Sequence, residues 1–164
     1  MTHSDAAISR GVAYLLTHQK MDGSWYGRWG VNYIYGTFLA LRGLRAAASP
    51  HARAALEKGA AFLRSTQNED GGWGESCLSY QTHRFEPAQS TPSQTAWALL
   101  GLRAAGDTAS GAVSRGLTWL IEKQAASGSW PESLATGTRF PNVLYLHYQL
   151  YAHYFPLLAI GMND

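Results

Sequence analysis

Tyr145, Tyr148, Tyr151 and Phe155 recur at spacings of three and four, so a helix through them would carry four rings along one face. A ring face attracts a cation, and a wall of rings excludes water, which suits chemistry that passes through positive charge. Plain core packing is the commoner use of such a stripe. Acid chemistry would need a strong, pre-organised proton donor. The aspartates are Asp5, Asp22, Asp70, Asp107 and Asp164, none with another Asp within three residues, and Asp22 and Asp70 fall in turn sequences where Asp is favoured for backbone reasons. Glu75-x-Cys77 near His83 is the nearest approach to a metal set, but three mixed residues in one loop fall short of a recognised ligand spacing, so no metal is expected. His18, His51, His147 and His153 read as helix-surface or satisfied core residues. The sequence holds no Gly-x-Ser-x-Gly, phosphate loop or dinucleotide fingerprint.

The elements that would position these residues form a repeat. Three times a basic residue opens the phrase Gly-x7-Gln-x5-Trp: Arg10, Gly11, Gln19 and Trp25; Lys58, Gly59, Gln67 and Trp73; Arg115, Gly116, Gln124 and Trp130. The period is about 50 residues, long enough for two helices per unit. Apolar residues at helical spacing precede each Gln, as with Val12, Leu15 and Leu16 or Leu117, Leu120 and Ile121. Each phrase then turns at Asp22-Gly23-Ser24, Asp70-Gly71-Gly72 or Ser127-Gly128-Ser129, and the Trp lands just beyond. The Gln is expected to bond backbone groups left open at the helix end, with the indole capping the turn.

A second, inner helix is expected over 37–47, over 95–105 and, for the third unit, over 142–154. The first two are apolar nearly all round and match almost residue for residue. Before the second, Thr91 suits an N-cap, Pro92 the first helical position and Gln94 a capping box. The fold expected is all-α: a segment of an α/α barrel, or toroid, of about three outer and inner helix pairs. It would form one domain over 1–164, with repeats at about 8–47, 56–105 and 113–160.

Composition agrees. Charged residues are 15% of the 164 and hydrophobic ones 46%, so the chain is expected to leave apolar surface for a partner or membrane. A net charge of +2 with scattered Lys and Arg argues against nucleic acid. Cys77 is the only cysteine, which fits a reducing, cytoplasmic setting, and no segment approaches the ~20 apolar residues that cross a bilayer.

With three Gln-Trp phrases in register, and with WGVNYIYG, QNEDGGWGE, STPSQTAWALLGL and the tail GTRFPNVLYLHYQLYAHYFP, the chain resembles the squalene-hopene cyclases of the triterpene cyclase family over essentially its whole length. The resemblance implies the C-terminal quarter of a longer enzyme. That enzyme cyclises squalene or a related polyprenoid through carbocations, without metal or organic cofactor, and is bound peripherally at the inner membrane face. It also implies that Trp29 is a wall residue of the cavity, that Tyr35 lies near the proton donor, and that Phe140, Tyr148 and Tyr151 sit at or behind the wall. Leu144 stands where the family usually has Phe, and Arg139 where it usually has Gly. The family's Asp-x-Asp-Asp acid is absent from the sequence. The chain is therefore expected to need the remaining cyclase portion, or to associate with itself. Two alternatives share the architecture. One is a non-catalytic α/α module holding an isoprenoid or a protein partner. The other is a prenyltransferase-type β subunit, which would need zinc and a peptide partner.

Overall fold

The computed structural model describes residues 3–161, so Asp164 lies outside the described residues. Three outer helices, α1 (His3–His18), α3 (Arg53–Ser65) and α6 (Gly111–Lys123), alternate with three inner ones, α2 (Tyr33–Ala46), α5 (Pro92–Ala104) and α7 (Tyr151–Gly161). A single-turn helix α4 (Ser79–Thr82) and a short 3-10 turn (Pro50–Ala52) fill connections. The inner helix α5 packs between α2 and α7, while α3 seats against α2 and α5, and α6 against α5 and α7. Every residue of α5 from Pro92 to Leu102 is buried, as an all-round apolar helix requires.

Local signals explain where α5 and α6 begin. Thr91 accepts a hydrogen bond from the Gln94 amide and Pro92 takes the first helical position. Only half of the expected capping box forms, because the Thr91 amide donates to Trp73 O, while the Gln94 side chain accepts from the Thr91 hydroxyl and bonds the backbone of Val31 and Glu75. Ser110 caps α6 by accepting from the Val113 amide.

The repeated phrase proves to be a joint between units. Trp25, Trp73 and Trp130 donate their indole N–H to Leu15, Leu63 and Leu120, carbonyls in the last turn of the outer helix that each Trp follows. The Gln does different work from that expected of it. Gln19 donates to the carbonyls of Gly23 and Ala55, and Gln67 to those of Gly71 and Ala112. Each thus ties its own turn to the next outer helix. The indole, with its longer reach back over the turn, caps the helix end instead.

The repeated spacing also has a steric reason. A Cβ on Gly59 would come within 3.0 Å of the Trp25 ring, and one on Gly116 within 2.6 Å of the Trp73 ring. Gly59 and Gly116 therefore give room to the indole of the unit before, whereas a Cβ on Gly11 would meet nothing within 4 Å.

The third inner helix does not begin at Asn142. Strands β1 (Gly137–Phe140) and β2 (Leu144–Leu146) form an antiparallel hairpin there, and α7 starts only at Tyr151. Asn142 has φ +68° in the hairpin turn, the Val143 amide returns to the Phe140 carbonyl, and Thr138 Oγ1 donates to Leu144 O. The stripe is accordingly split, with Tyr151 and Phe155 on α7, Tyr145 on β2 and Tyr148 in the connection.

Candidate functional site

The hairpin is anchored to a segment far upstream. Trp29 O accepts from the Thr138 amide, and the Val31 amide donates to Thr136 O, which pairs Gly30 with Gly137 as an antiparallel bridge. Both bridge glycines lie under tyrosine rings. A Cβ would come within 2.4 Å of the Tyr35 ring at Gly30, and within 2.4 Å of the Tyr148 ring at Gly137. This two-glycine floor therefore brings the first unit's α2 and the third unit's tail to one place.

Above it the rings converge. Tyr148 and Tyr151 lie 4.7 Å apart between centroids, and Tyr151 meets Phe155 edge-on at 5.3 Å. Tyr35 meets Trp97 at 4.8 Å, and Trp97 in turn meets Tyr151 and Phe155. Burial, reinforced by the neighbouring Tyr35, Tyr154 and Tyr148, pushes the Tyr151 hydroxyl up to about 12. Burial also raises Tyr35, with Tyr148 adding to it, and raises Tyr154, with Tyr35 adding. These phenols stay neutral at physiological pH. They offer ring faces and O–H groups but no phenolate, and so no anion that would trap a cation.

The other residues implied by resemblance take different places. Trp29 is 54% exposed and, with Tyr35, Tyr26, Tyr14 and Leu39, lines an open groove of about 580 Å³ between α1 and α2. Phe140 and Leu144 are partners across the hairpin and both are exposed, with the Arg139 guanidinium 5.8 Å from the Phe140 ring. The structure thus joins Tyr35, Tyr148 and Tyr151 in one cluster and Trp29 to its floor, and puts Phe140 and Leu144 at the hairpin end.

Two features escape a reading by motif. Trp97, fully buried at the centre of the cluster, looks like one more apolar residue of an inner helix, and only its ring contacts single it out. Among the described residues, its buried indole N–H meets no hydrogen-bond partner. Glu75 is no metal candidate in place: its carboxylate is buried against the start of α2, while Cys77 Sγ faces the Ala135 carbonyl and the His83 carbonyl accepts from Lys20. Trp-x-Glu, present as Trp73 to Glu75 and Trp130 to Glu132, was the available signal. Of the histidines, His18 stacks on Tyr14, and His147 Nε2 lies 3.9 Å from Glu132. Among the described residues no helix is long and apolar enough to cross a membrane.

Residues 1–164 match the family model described as the squalene-hopene cyclase C-terminal domain. The squalene-hopene cyclase of Alicyclobacillus acidocaldarius is 56% identical over 155 residues, covering 94% of this chain and 25% of that protein. The Zymomonas mobilis enzyme is 52% identical over 160 residues, covering 96% of the chain and 24% of the relative. The chain therefore spans about a quarter of the length of the curated relatives it matches. A type II terpene cyclase from Scytonema, solved with merosterolic acid A, superposes with a TM-score of 0.73 at 20% identity over 94% of this chain and 48% of its own, which shows a shared α/α barrel fold.

Proposed function

The chain belongs to the squalene-hopene cyclase family, and from that premise we propose that it supplies one aromatic wall of a cavity in which squalene or a related polyprenoid is folded and cyclised through carbocations. The observation that carries this reading is the convergence of rings at Trp97, which meets Tyr35 and Tyr151, with Tyr148 beside Tyr151, while burial keeps the Tyr35 and Tyr151 hydroxyls neutral. Each ring face close to a developing cation contributes about 0.5 to 2 kcal/mol, and the cluster can shield that charge from water without offering it an anion. In the cavity, Tyr148 and Tyr151 would stabilise positive charge directly, Tyr35 would stand beside the acid, and Trp29 would close the wall. Phe140 would add a further ring from the hairpin, whereas Leu144 has no ring face to give.

Opening the first alkene needs a proton, and the chain's sequence holds no Asp-x-Asp-Asp to deliver it. The acid would come from the rest of a cyclase, joined to this portion through the groove along α1 and α2. That assembly would work in the cytoplasm, at the inner face of the membrane. The test is to incubate purified chain with squalene, alone and together with a cyclase portion that carries the acid. Pentacyclic product is expected only in the second case, and with Tyr151→Ala it should fall by at least about tenfold, the effect of losing one desolvated ring. Product from the chain alone, above a boiled control, would sink the division of labour. Full product with Tyr151→Ala would sink the wall.

A further inference from the structure

Glu75 is 4% exposed, and among the described residues no cation pairs with it. Its carboxylate accepts three backbone amides, from Asn32 at 3.1 Å, Tyr33 at 3.0 Å and Ile34 at 2.9 Å. These are the first N–H groups of α2, which have no partner inside their own helix. The positive end of the helix favours the negative charge placed there. Burial raises the Glu75 carboxyl, against the pull of the amides of Ile34, Tyr33 and Asn32.

The contact runs between units: Glu75 follows Trp73 of the second phrase, and α2 is the inner helix of the first. The next joint repeats it. Glu132 follows Trp130 and accepts the Ser93 amide at 2.9 Å near the start of α5, with Ser93 Oγ and Thr136 Oγ1 on its other oxygen.

At α2 the cap sits among other constraints on the same segment. Tyr80 donates its hydroxyl to the carbonyls of Gly30 and Arg28, and the Gln94 side-chain amide donates to Val31 O. Residues 28–34 are thus pinned from the second unit at both their carbonyls and their amides. Trp29 lies within the pinned stretch and Tyr35 directly follows it.

We propose that Glu75 is the positioning residue of the aromatic wall, a carboxylate lent by the second unit that fixes the start of α2 and with it the directions in which Trp29 and Tyr35 present their rings. Its functional consequence rests on the cavity reading above, but its test does not.

The amides of Asn32, Tyr33 and Ile34 are read by hydrogen exchange in the full chain, in Glu75→Gln and in Leu120→Ala. Leu120 is a core residue of α6, which packs on α5 and α7, so its truncation destabilises the fold while leaving the hydrogen bonds of Glu75 in place. Slow exchange is expected in the wild type, although such positions in a helix ordinarily exchange freely. About tenfold or faster exchange is expected in Glu75→Gln alone when the variants are compared at equal global stability. Trp29 supplies the second reading, because the other five tryptophans are at most 6% exposed and acrylamide quenching reports chiefly on it. Quenching should change in Glu75→Gln and not in Leu120→Ala.

Unprotected wild-type amides, or equal changes in both variants, would overturn the proposal. So would faster exchange with unaltered Trp29 quenching, which would leave Glu75 a cap and nothing more. Should Glu75→Gln fail to fold, Glu75→Asp, one methylene too short to span three amides, takes its place. Dodecyltrimethylammonium, added last, separates the two ideas: failure to bind the wild type counts against the cavity and leaves the exchange result standing.

Discussion

Tyr35 and Tyr151 are held in their neutral form by burial and by neighbouring tyrosines, which makes their ionisation a measure of the cluster's integrity. An unfolded tyrosine titrates near ~10, and Tyr151 in the fold only at about 12. The folded state therefore keeps a proton that the unfolded state has lost. The stabilisation is full below the unfolded value and disappears as pH rises through the folded one. Denaturant midpoints followed across alkaline pH should fall steeply in this window, and less steeply in Tyr151→Phe; identical slopes would contradict the arrangement. The glycine floor permits a second check. A methyl on Gly137 must displace the Tyr148 ring, so Gly137→Ala should cost about 1–3 kcal/mol, the range for overpacking. In near-ultraviolet circular dichroism, loss of the tyrosine signal with helix content retained is the expected outcome. From sequence, Tyr148 and Tyr151 are legible as neighbours for the wrong reason. A helical stripe would place them on one face, whereas a turn ahead of α7 brings them together.

Among the elements, the outer helices, their turns and two inner helices are legible because their signals are local. Periodicity marks α3 and α6, Thr91 and Pro92 mark α5, and Gly23, Gly71 and Gly128 all adopt positive φ where the turns need it. The hairpin is not legible, because its register is set by residues 29–31, which pair with β1 across most of the chain. Aromatic residues that suit either a strand or a helix then follow the tertiary partner. The joints make a comparative prediction. Gln67 bonds both its own turn and Ala112 in α6, and it also accepts from Arg115. Gln124 is exposed and bonds its own turn at Gly128. Gln67→Ala should therefore lower unfolding free energy by about 1–2 kcal/mol, and Gln124→Ala by no more than about 0.5 kcal/mol. Equal losses in chemical denaturation would show that the bond between units contributes nothing.

The whole molecule has an interior helix, α5, buried from Pro92 to Leu102, and flanks that are not covered. Ile8 and Tyr14 on α1, and Leu157 and Leu158 on α7, are 46–64% exposed. Apolar surface gathered on two flanks marks sites of association. Sedimentation velocity over a concentration series should show the chain assembling, and Leu157→Lys should shift it toward smaller species. A single monomeric boundary throughout would contradict this. The joints themselves bear on how such a molecule could change over generations. Ala55 and Ala112, the carbonyls that receive the Gln amides, stand four residues before Gly59 and Gly116, and Ala7 stands likewise before Gly11. Each unit thus carries both the donor half of one joint and the acceptor half of another. A duplication that copies one whole unit copies a matched plug and socket with it, so the array can be lengthened without a compensating mutation elsewhere in the gene.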